Sequence, residues 1–270
     1  MPVTANRDTQ LCMSMAARPG NFGVRFHNHL YRQLGLNFYY KAFAPNDLEG
    51  AVRGIRALGI RGCGVSMPFK EACIALVDEL DPSAAVIQSI NTIVNDAGHL
   101  KAYNTDYIAV SRLLDSHAVP RTRFALRGSG GMAKAAAFAL RDAGFTDGLI
   151  VARNEEAGRA LARSCGLRWQ SGLDGERPEL LVNVTPLGMA GSQADELAFE
   201  EAAIDAAHTV FDVVATPADT PLIKAARALG KPVITGDQVA AIQALEQFVL
   251  YTGVRPTDAQ YLEAAAFARS

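Results

Sequence analysis

The stretch RFALRGSGGMAKAAAFALRDAG, residues 123–144, constrains the fold more than any other part of the chain. An apolar strand runs directly into a glycine-rich turn and then into an alanine-rich helix. Glycines in such a turn let the backbone approach a pyrophosphate, which then rests on the N-terminus of the helix. The loop departs from strict G-x-G-x-x-G by carrying Ala133 in the last place, an allowed small residue. Gly128, Ser129, Gly130, Gly131 and Met132 are the candidates for dinucleotide contact. A tight strand-to-helix turn without a ligand uses the same residue types, so the glycines alone leave both readings open.

The rest of the chain continues the alternation. TQLCMSM, NFYYKAF, IRGCGV, GLIVARN, ELLVNV, TVFDVV and KPVITG read as strands, with helical patterns between most of them. GVRFHNHLYRQLG reads as a helix ending at Gly35. PNDLEGAVRGIRALG reads as another, capped by Asn46 or Asp47. SINTIV and LKAY flank NDAGH, whose Asn-Asp-Ala-Gly is turn chemistry, and predict a hairpin. A helix is expected from about Thr105 to Ser116. Strands alternating with helices predict an α/β chain with parallel sheets. A length of 270 residues admits one large or two ordinary domains. The β-α-β unit with the glycines begins near HAVPRTR, residues 117–123, and suggests a boundary there.

Composition excludes several function classes. A net charge of −2 gives no basic surface for nucleic acid, and the aromatics do not cluster as stacking platforms. No apolar run is long enough to span a bilayer, and MPVTANRDTQ lacks the apolar core of a signal peptide. Cys12, Cys63, Cys73 and Cys165 follow no zinc spacing and read as reduced, mostly buried thiols of a cytoplasmic protein. His27 and His29 lie two apart, on different faces of a helix, so no metal site is expected.

Two places carry candidate chemistry. At the tip of the strand GLIV stand Ala152, Arg153 and Asn154, with no acid to take the ribose 2′-hydroxyl of NAD. The Arg153 guanidinium matches a phosphate in charge and fork geometry and favours NADP, although Glu155 weakens that field. A solvated surface arginine is the alternative. In GVSMPFKE, residues 64–71, Ser66 reads as a helix N-cap, Pro68 suits the first turn, and Lys70 then falls where the helix dipole disfavours a cation. Asn91 lies amid apolar residues, as a polar binding group or a satisfied core amide. Asp106 starts a helix, as an orienting carboxylate or a simple cap. Together Lys70, Asn91 and Asp106 compose a proton-transfer lysine, an amide and an orienting carboxylate.

GVSMPFKE, INTIV, YNTD, GSGGMAKA, VNVTPLGM, FDVVATP and GDQVAAIQALEQF stand in the order and spacing of the shikimate dehydrogenase family. The chain resembles that family over nearly its whole length, and its wording is most similar to the shikimate dehydrogenase-like branch. The resemblance implies two α/β domains with a cleft between them. An N-terminal substrate domain would cover residues 1–109, completed by C-terminal helices at about 240–270, and a Rossmann NADP-binding domain would cover 110–239. It implies an NADP-dependent oxidoreductase interconverting shikimate and 3-dehydroshikimate, a cytoplasmic monomer or homodimer of aromatic amino acid biosynthesis, with a small-molecule substrate. It implies Lys70 as catalytic proton relay with Asp106 as partner, and Ser14, Ser66, Asn91 and Gln243 as substrate-binding residues. Asn183, Thr185 and Met189 would lie beside the cofactor, and Gly236 near the nicotinamide.

The departures from the family pattern concern binding. MSMAARPGNFGVRFHN keeps Ser14 but has Ala16 in place of a second serine and inserts residues before His27-Asn28. Ala215 stands where a tyrosine is usual, and Gly64 where an asparagine is usual. Ala157 replaces a basic residue after Arg153. A slower paralogue with a loosened carboxylate grip is therefore expected, with Arg18 or Asn21 as candidate replacement contacts. An NAD-linked quinate or quinate/shikimate dehydrogenase and a non-catalytic NADP-binding sensor are the competing readings.

Overall fold

The structure, a computed structural model, describes residues 5–270. The chain forms two compact units. The first runs to Thr105 and resumes over Gln243–Ser270, and the second is Asp106–Ile242.

The first unit is built on a mixed sheet. Its strands are β1 (Gln10–Met15), β2 (Phe38–Phe43), β3 (Gly62–Val65), β4 (Glu79–Leu80), β5 (Thr92–Asp96) and β6 (His99–Tyr103), in the order β2-β1-β3-β5-β6-β4. β2, β1 and β3 run parallel, and β5 turns the sheet antiparallel against both β3 and β6. The expected hairpin is therefore present. Its turn residues Ala97 and Gly98 both take positive φ, 51° and 94°, the pair of values a two-residue primed turn needs. Helices α1 (Phe22–Gln33) and α2 (Leu48–Ala57) connect the parallel strands, and α3 (Pro82–Ile87) precedes β5. Asp47, one of the two expected caps, accepts the Gly50 N–H at 2.8 Å and starts α2. The Asn28 side chain bonds both the N–H and the carbonyl of Tyr40, each at 2.9 Å, and so fixes α1 against β2.

One expectation is overturned. Lys70 does not lie in the first turn of an α-helix, and Ser66 is not an N-cap. Residues 67–71 form turns that follow β3, and only Ala72–Leu76 wind as a short 3-10 helix. The peptide between Met67 and Pro68 is cis. The backbone here is committed elsewhere: the Ser66 N–H donates to the Met15 carbonyl, and the Lys70 carbonyl accepts from Ile90. The residue before a proline is also biased away from the helical region. The dipole reading of Lys70 accordingly falls.

The second unit opens with α4 (Thr105–Ser116), whose first residue belongs to the first unit. Its sheet contains β7 (Phe124–Arg127), β8 (Gly148–Val151), β9 (Arg168–Gln170), β10 (Leu180–Asn183), β11 (Thr209–Asp212) and β12 (Val233–Ile234). All are parallel, in the order β12-β11-β10-β7-β8-β9. That is the doubly wound dinucleotide-fold order, with its topological switch point between β7 and β10. Helices α5 (Gly131–Asp142), α6 (Glu155–Cys165), α7 (Glu201–Ala206) and α8 (Pro221–Ala228) make the crossovers. Ala125, Leu149, Leu181 and Val210 from four neighbouring strands share one core, which explains why these strands read as continuous apolar runs. α9 (Gly236–Thr252) leaves this unit for the first, where α10 (Asp258–Arg269) packs on α1.

Strands β4 and β9 and helix α3 lie outside the sequence reading. Each is six residues or shorter, too short to show a hydrophobic period.

Close packing in the first unit gives a direct test. A Cβ on Gly62 would lie 2.1–2.6 Å from the ring of Tyr251, which is itself fully buried. Gly54, inside α2, has nothing within 4 Å of the same position. Gly62→Ala is expected to destabilise the chain by about 1–3 kcal/mol through overpacking. Gly54→Ala should stabilise it by about 0.5–1 kcal/mol through helix propensity. Chemical denaturation of both variants checks the opposite signs.

Candidate functional site

In the first unit Asn91, immediately before β5, bonds Thr92, Thr105 and Gln247. Asn91 is fully buried. Its Oδ1 accepts the Thr105 backbone N–H and the Thr92 hydroxyl, each at 2.8 Å, and its amide nitrogen donates to Thr105 Oγ1 at 2.9 Å. The carboxamide thus satisfies the first residue of α4, a position that otherwise carries an orphan donor. Asp106 follows in the same first turn and is only 2% exposed. Gln247, on α9 and absent from the sequence reading, donates to the Asn91 carbonyl and to Thr92 Oγ1, each at 3.1 Å. The satisfied-amide alternative therefore describes much of what Asn91 does.

Ser14 sits on β1 opposite Gly64 on β3. A Cβ on Gly64 would stand 3.0 Å from the Tyr40 hydroxyl, 3.4 Å from Gln247 Nε2 and 3.4 Å from Ser14 Cβ. Glycine at 64 is what allows the Tyr40 hydroxyl to lie beside Ser14. Burial pushes the Tyr40 phenol up, against an opposing effect of Ser14, so it stays protonated. His27 stacks on Tyr40 at 4.3 Å between centroids. Burial pushes the imidazole down to about 3, with the Gln247 amide opposing, which holds it neutral. It is a core histidine. Lys70 and Gln243 are half-buried, while Ser66, Arg18 and Asn21 are exposed.

In the second unit a cavity of about 730 Å³ opens at the carboxyl ends of β7, β8 and β10. Among the expected residues, Gly128, Ser129, Arg153 and Thr185 line it. Gly128 takes φ +134°, and a Cβ there would lie 2.8 Å from Val184 Cγ2, so the backbone runs closer to its neighbour than any side chain permits. Gly130 is the N-cap of α5 and Gly131 and Met132 are its first residues, leaving that helix's first N–H groups for an anion. Ala133 is buried and packs α5 down. Asn154 caps α6 by accepting the Ala157 N–H at 3.0 Å. Glu155, expected to oppose Arg153, instead accepts from Arg159 at 2.8 Å. The donor set suits a pyrophosphate with an anionic group near Arg153.

Asn183 is not part of the cavity wall. It is fully buried, accepts from the Thr185 N–H and hydroxyl, and donates to Asp212 Oδ1 at 3.0 Å. Asp212 also accepts from the Val214 N–H at 3.0 Å and the Thr220 hydroxyl at 2.7 Å. Together they fix the loop after β10 that presents Thr185. Met189 is half-buried in the same loop. Gly236 is excluded from bearing a side chain, because a Cβ would lie 2.3 Å from the Val214 carbonyl. Among the described residues no group of three or more His, Cys, Asp or Glu could hold a metal, and no helix is long and apolar enough to cross a membrane.

Two residues, one in the cavity wall and one behind it, escaped the sequence reading. Arg127 lines it at the end of β7; a charged residue closing an otherwise apolar strand was the available signal. Asp212 read only as part of a strand.

The comparisons agree with this architecture. The family model for the shikimate dehydrogenase substrate binding domain matches residues 22–93. A "Shikimate dehydrogenase-like protein" of Haemophilus influenzae is 53% identical over 267 residues, 98% of each chain. A "Shikimate dehydrogenase (NADP(+))" of Archaeoglobus fulgidus is 37% identical, over 88% of this chain and 91% of that one. The structure of the Thermus thermophilus shikimate 5-dehydrogenase in complex with NADP(H) and shikimate superposes with a TM-score of 0.86 at 29% identity, covering 96% of this chain and all of the other. The chain belongs to the shikimate dehydrogenase family, and it resembles the shikimate dehydrogenase-like branch.

The Asp212 network generates a pH test. Burial raises its carboxyl from the ordinary 3.8 to about 6, the bonds from Thr220, Val214 and Asn183 opposing. With the folded value above the unfolded one, the folded chain binds the extra proton between those two values. The contribution of this group to stability therefore grows as pH falls through about 6 and levels off below 3.8. Asp212→Asn removes that increment, so the wild type should gain stability relative to the variant on going from neutral pH to between the two values. Paired denaturation curves at both pH values measure it; a constant difference would contradict the raised carboxyl.

Proposed function

We propose that this chain is an NADP-dependent oxidoreductase that interconverts shikimate and 3-dehydroshikimate. The observation that carries the reading is a buried carboxylate, Asp106, held at the head of α4 by the Asn91–Thr105 bonds in a chain of this family. A purely cofactor-binding protein has no use for such a group together with Lys70. The Archaeoglobus fulgidus relative and the Thermus thermophilus complex with NADP(H) and shikimate suggest the substrate and cofactor class.

Lys70 takes up and returns the proton of the reacting hydroxyl, and Asp106 accepts a hydrogen bond from that hydroxyl. Asn91, whose oxygen is spent on Thr92 and Thr105, offers its amide N–H to a ring hydroxyl. Gln243 adds a second amide, Ser14 serves the substrate carboxylate, and Ser66 offers a further substrate-binding hydroxyl. The glycine loop and the start of α5 hold the pyrophosphate, and Arg153 receives the 2′-phosphate. When bound there, NADP supplies the hydride acceptor for the ring carbon.

Ala16 is buried without a hydroxyl, and Ala215 brings none to its loop. Arg18 and Asn21, exposed after β1, are the candidates to replace the lost contacts. The carboxylate is held by fewer donors, and turnover on shikimate is slower than in relatives with both serines and the tyrosine, because a misplaced ring lowers the rate of transfer. The substrate is a small molecule, and four free, buried thiols fit a cytoplasmic setting.

Lys70→Ala should lower turnover of shikimate by about a hundredfold or more, the usual contribution of a general acid–base group. Dinucleotide affinity should stay near wild type. Steady-state kinetics with a cofactor titration separates the two, and unchanged turnover would remove Lys70 from the chemistry. In the same assay Ala16→Ser with Ala215→Tyr should raise turnover; no gain would locate the carboxylate contact elsewhere.

A further inference from the structure

β7 is apolar until its last residue. Phe124, Ala125 and Leu126 have no exposed surface, and then Arg127 stands half-buried immediately before Gly128. Placing a guanidinium at the end of a buried strand costs solvation, and such groups persist where something compensates them. Among the described residues no carboxylate forms an ion pair with Arg127. Glu200 is near enough to favour the cation without bonding it. Phe199 lies under the guanidinium, 5.5 Å from its ring centroid. An aromatic face restrains the group and partly offsets its charge.

Its other charged neighbour has the same sign. Arg127 pairs in register with Val151 on β8, and Arg153 follows two residues beyond Val151. Both arginines line the same cavity. Burial pushes the Arg127 guanidinium down, and Arg153 adds to the push. Like charges held together in a half-buried cavity are stabilised by a dianion. Glu196 lines the same cavity but, among the described residues, pairs with neither arginine, and Glu155 is bonded to Arg159.

We infer that Arg127 is a second guanidinium for the 2′-phosphate of the dinucleotide, acting with Arg153 in place of the basic residue lost at Ala157. The inference rests on the NADP reading above. A ribose 2′-phosphate carries nearly two negative charges at neutral pH, matching two unpaired guanidinium groups. A free 2′-hydroxyl would leave both cations without a partner. Arg127 is thus a specificity-determining residue that approaches from β7 rather than β8.

Titration of the full chain with 2′,5′-ADP and 5′-AMP tests this, because the two probes differ only in the 2′-phosphate and neither requires turnover. Arg127→Gln should weaken 2′,5′-ADP by about ten- to hundredfold, the range of a charge-assisted hydrogen bond, and leave 5′-AMP unchanged. Arg127→Lys should fall between the two, having the charge without the fork. Thermal melting of each variant confirms that it is folded. An equal loss for both probes would make Arg127 a base-stacking or structural group, and no loss for either would make it idle; both overturn the inference. If wild type prefers 2′,5′-ADP and only Arg153→Gln removes that preference, the NADP reading stands and Arg127 falls. If wild type shows no preference at all, the NADP reading fails and this inference with it.

Discussion

The Asn91 carboxamide is the contact on which the substrate unit depends. One buried side chain satisfies the first N–H of α4, the Thr92 hydroxyl and the Thr105 hydroxyl, while its carbonyl receives Gln247 from α9. Three elements distant in sequence are thereby fixed at one point. Buried polar groups are costly when unpartnered, so a network like this tolerates little displacement. Asp106 inherits its position from the residue before it. A substitution at Asn91 would free the start of α4 as well as remove a polar contact, and its effect would mix positioning with binding.

The dinucleotide unit follows another constraint, the parallel sheet order. With β7 and β10 adjacent and their connections on opposite sides, a crevice forms at their carboxyl ends whatever the side chains. Side chains then decide what the crevice accepts. Gly128 and the head of α5 suit a pyrophosphate, and Arg127 and Arg153 set the charge beside it. Asp212 and Asn183 hold the loop from β10 against the same opening.

Much of this was legible in the sequence. The glycine loop, the alternating apolar segments, the Asp47 cap and the Asn-Asp-Ala-Gly turn all obey local rules, and local rules can be read along a chain. The turn at Lys70 was misread because Ser-x-Pro mimics a helix start, while the deciding bonds come from Met15 and Ile90. Those partners are remote in sequence. Gln247 and Tyr40 were missed for the same reason: their meaning depends on Gly64 having no side chain, which only packing reveals. Asn183 was assigned to the cofactor by motif, whereas its bonds belong to Asp212 and Thr185. Glu155 looked like an opponent of Arg153 until its bond to Arg159 was in view.

The account stands or falls on substrate and cofactor together. The direct measurement is the rate of reduced-cofactor formation by the purified chain with shikimate or quinate, each against NADP or NAD. The account predicts that shikimate with NADP is the fastest of the four combinations. Quinate with NAD as the fastest pair, or no reduction in any combination while NADP still binds, would contradict it.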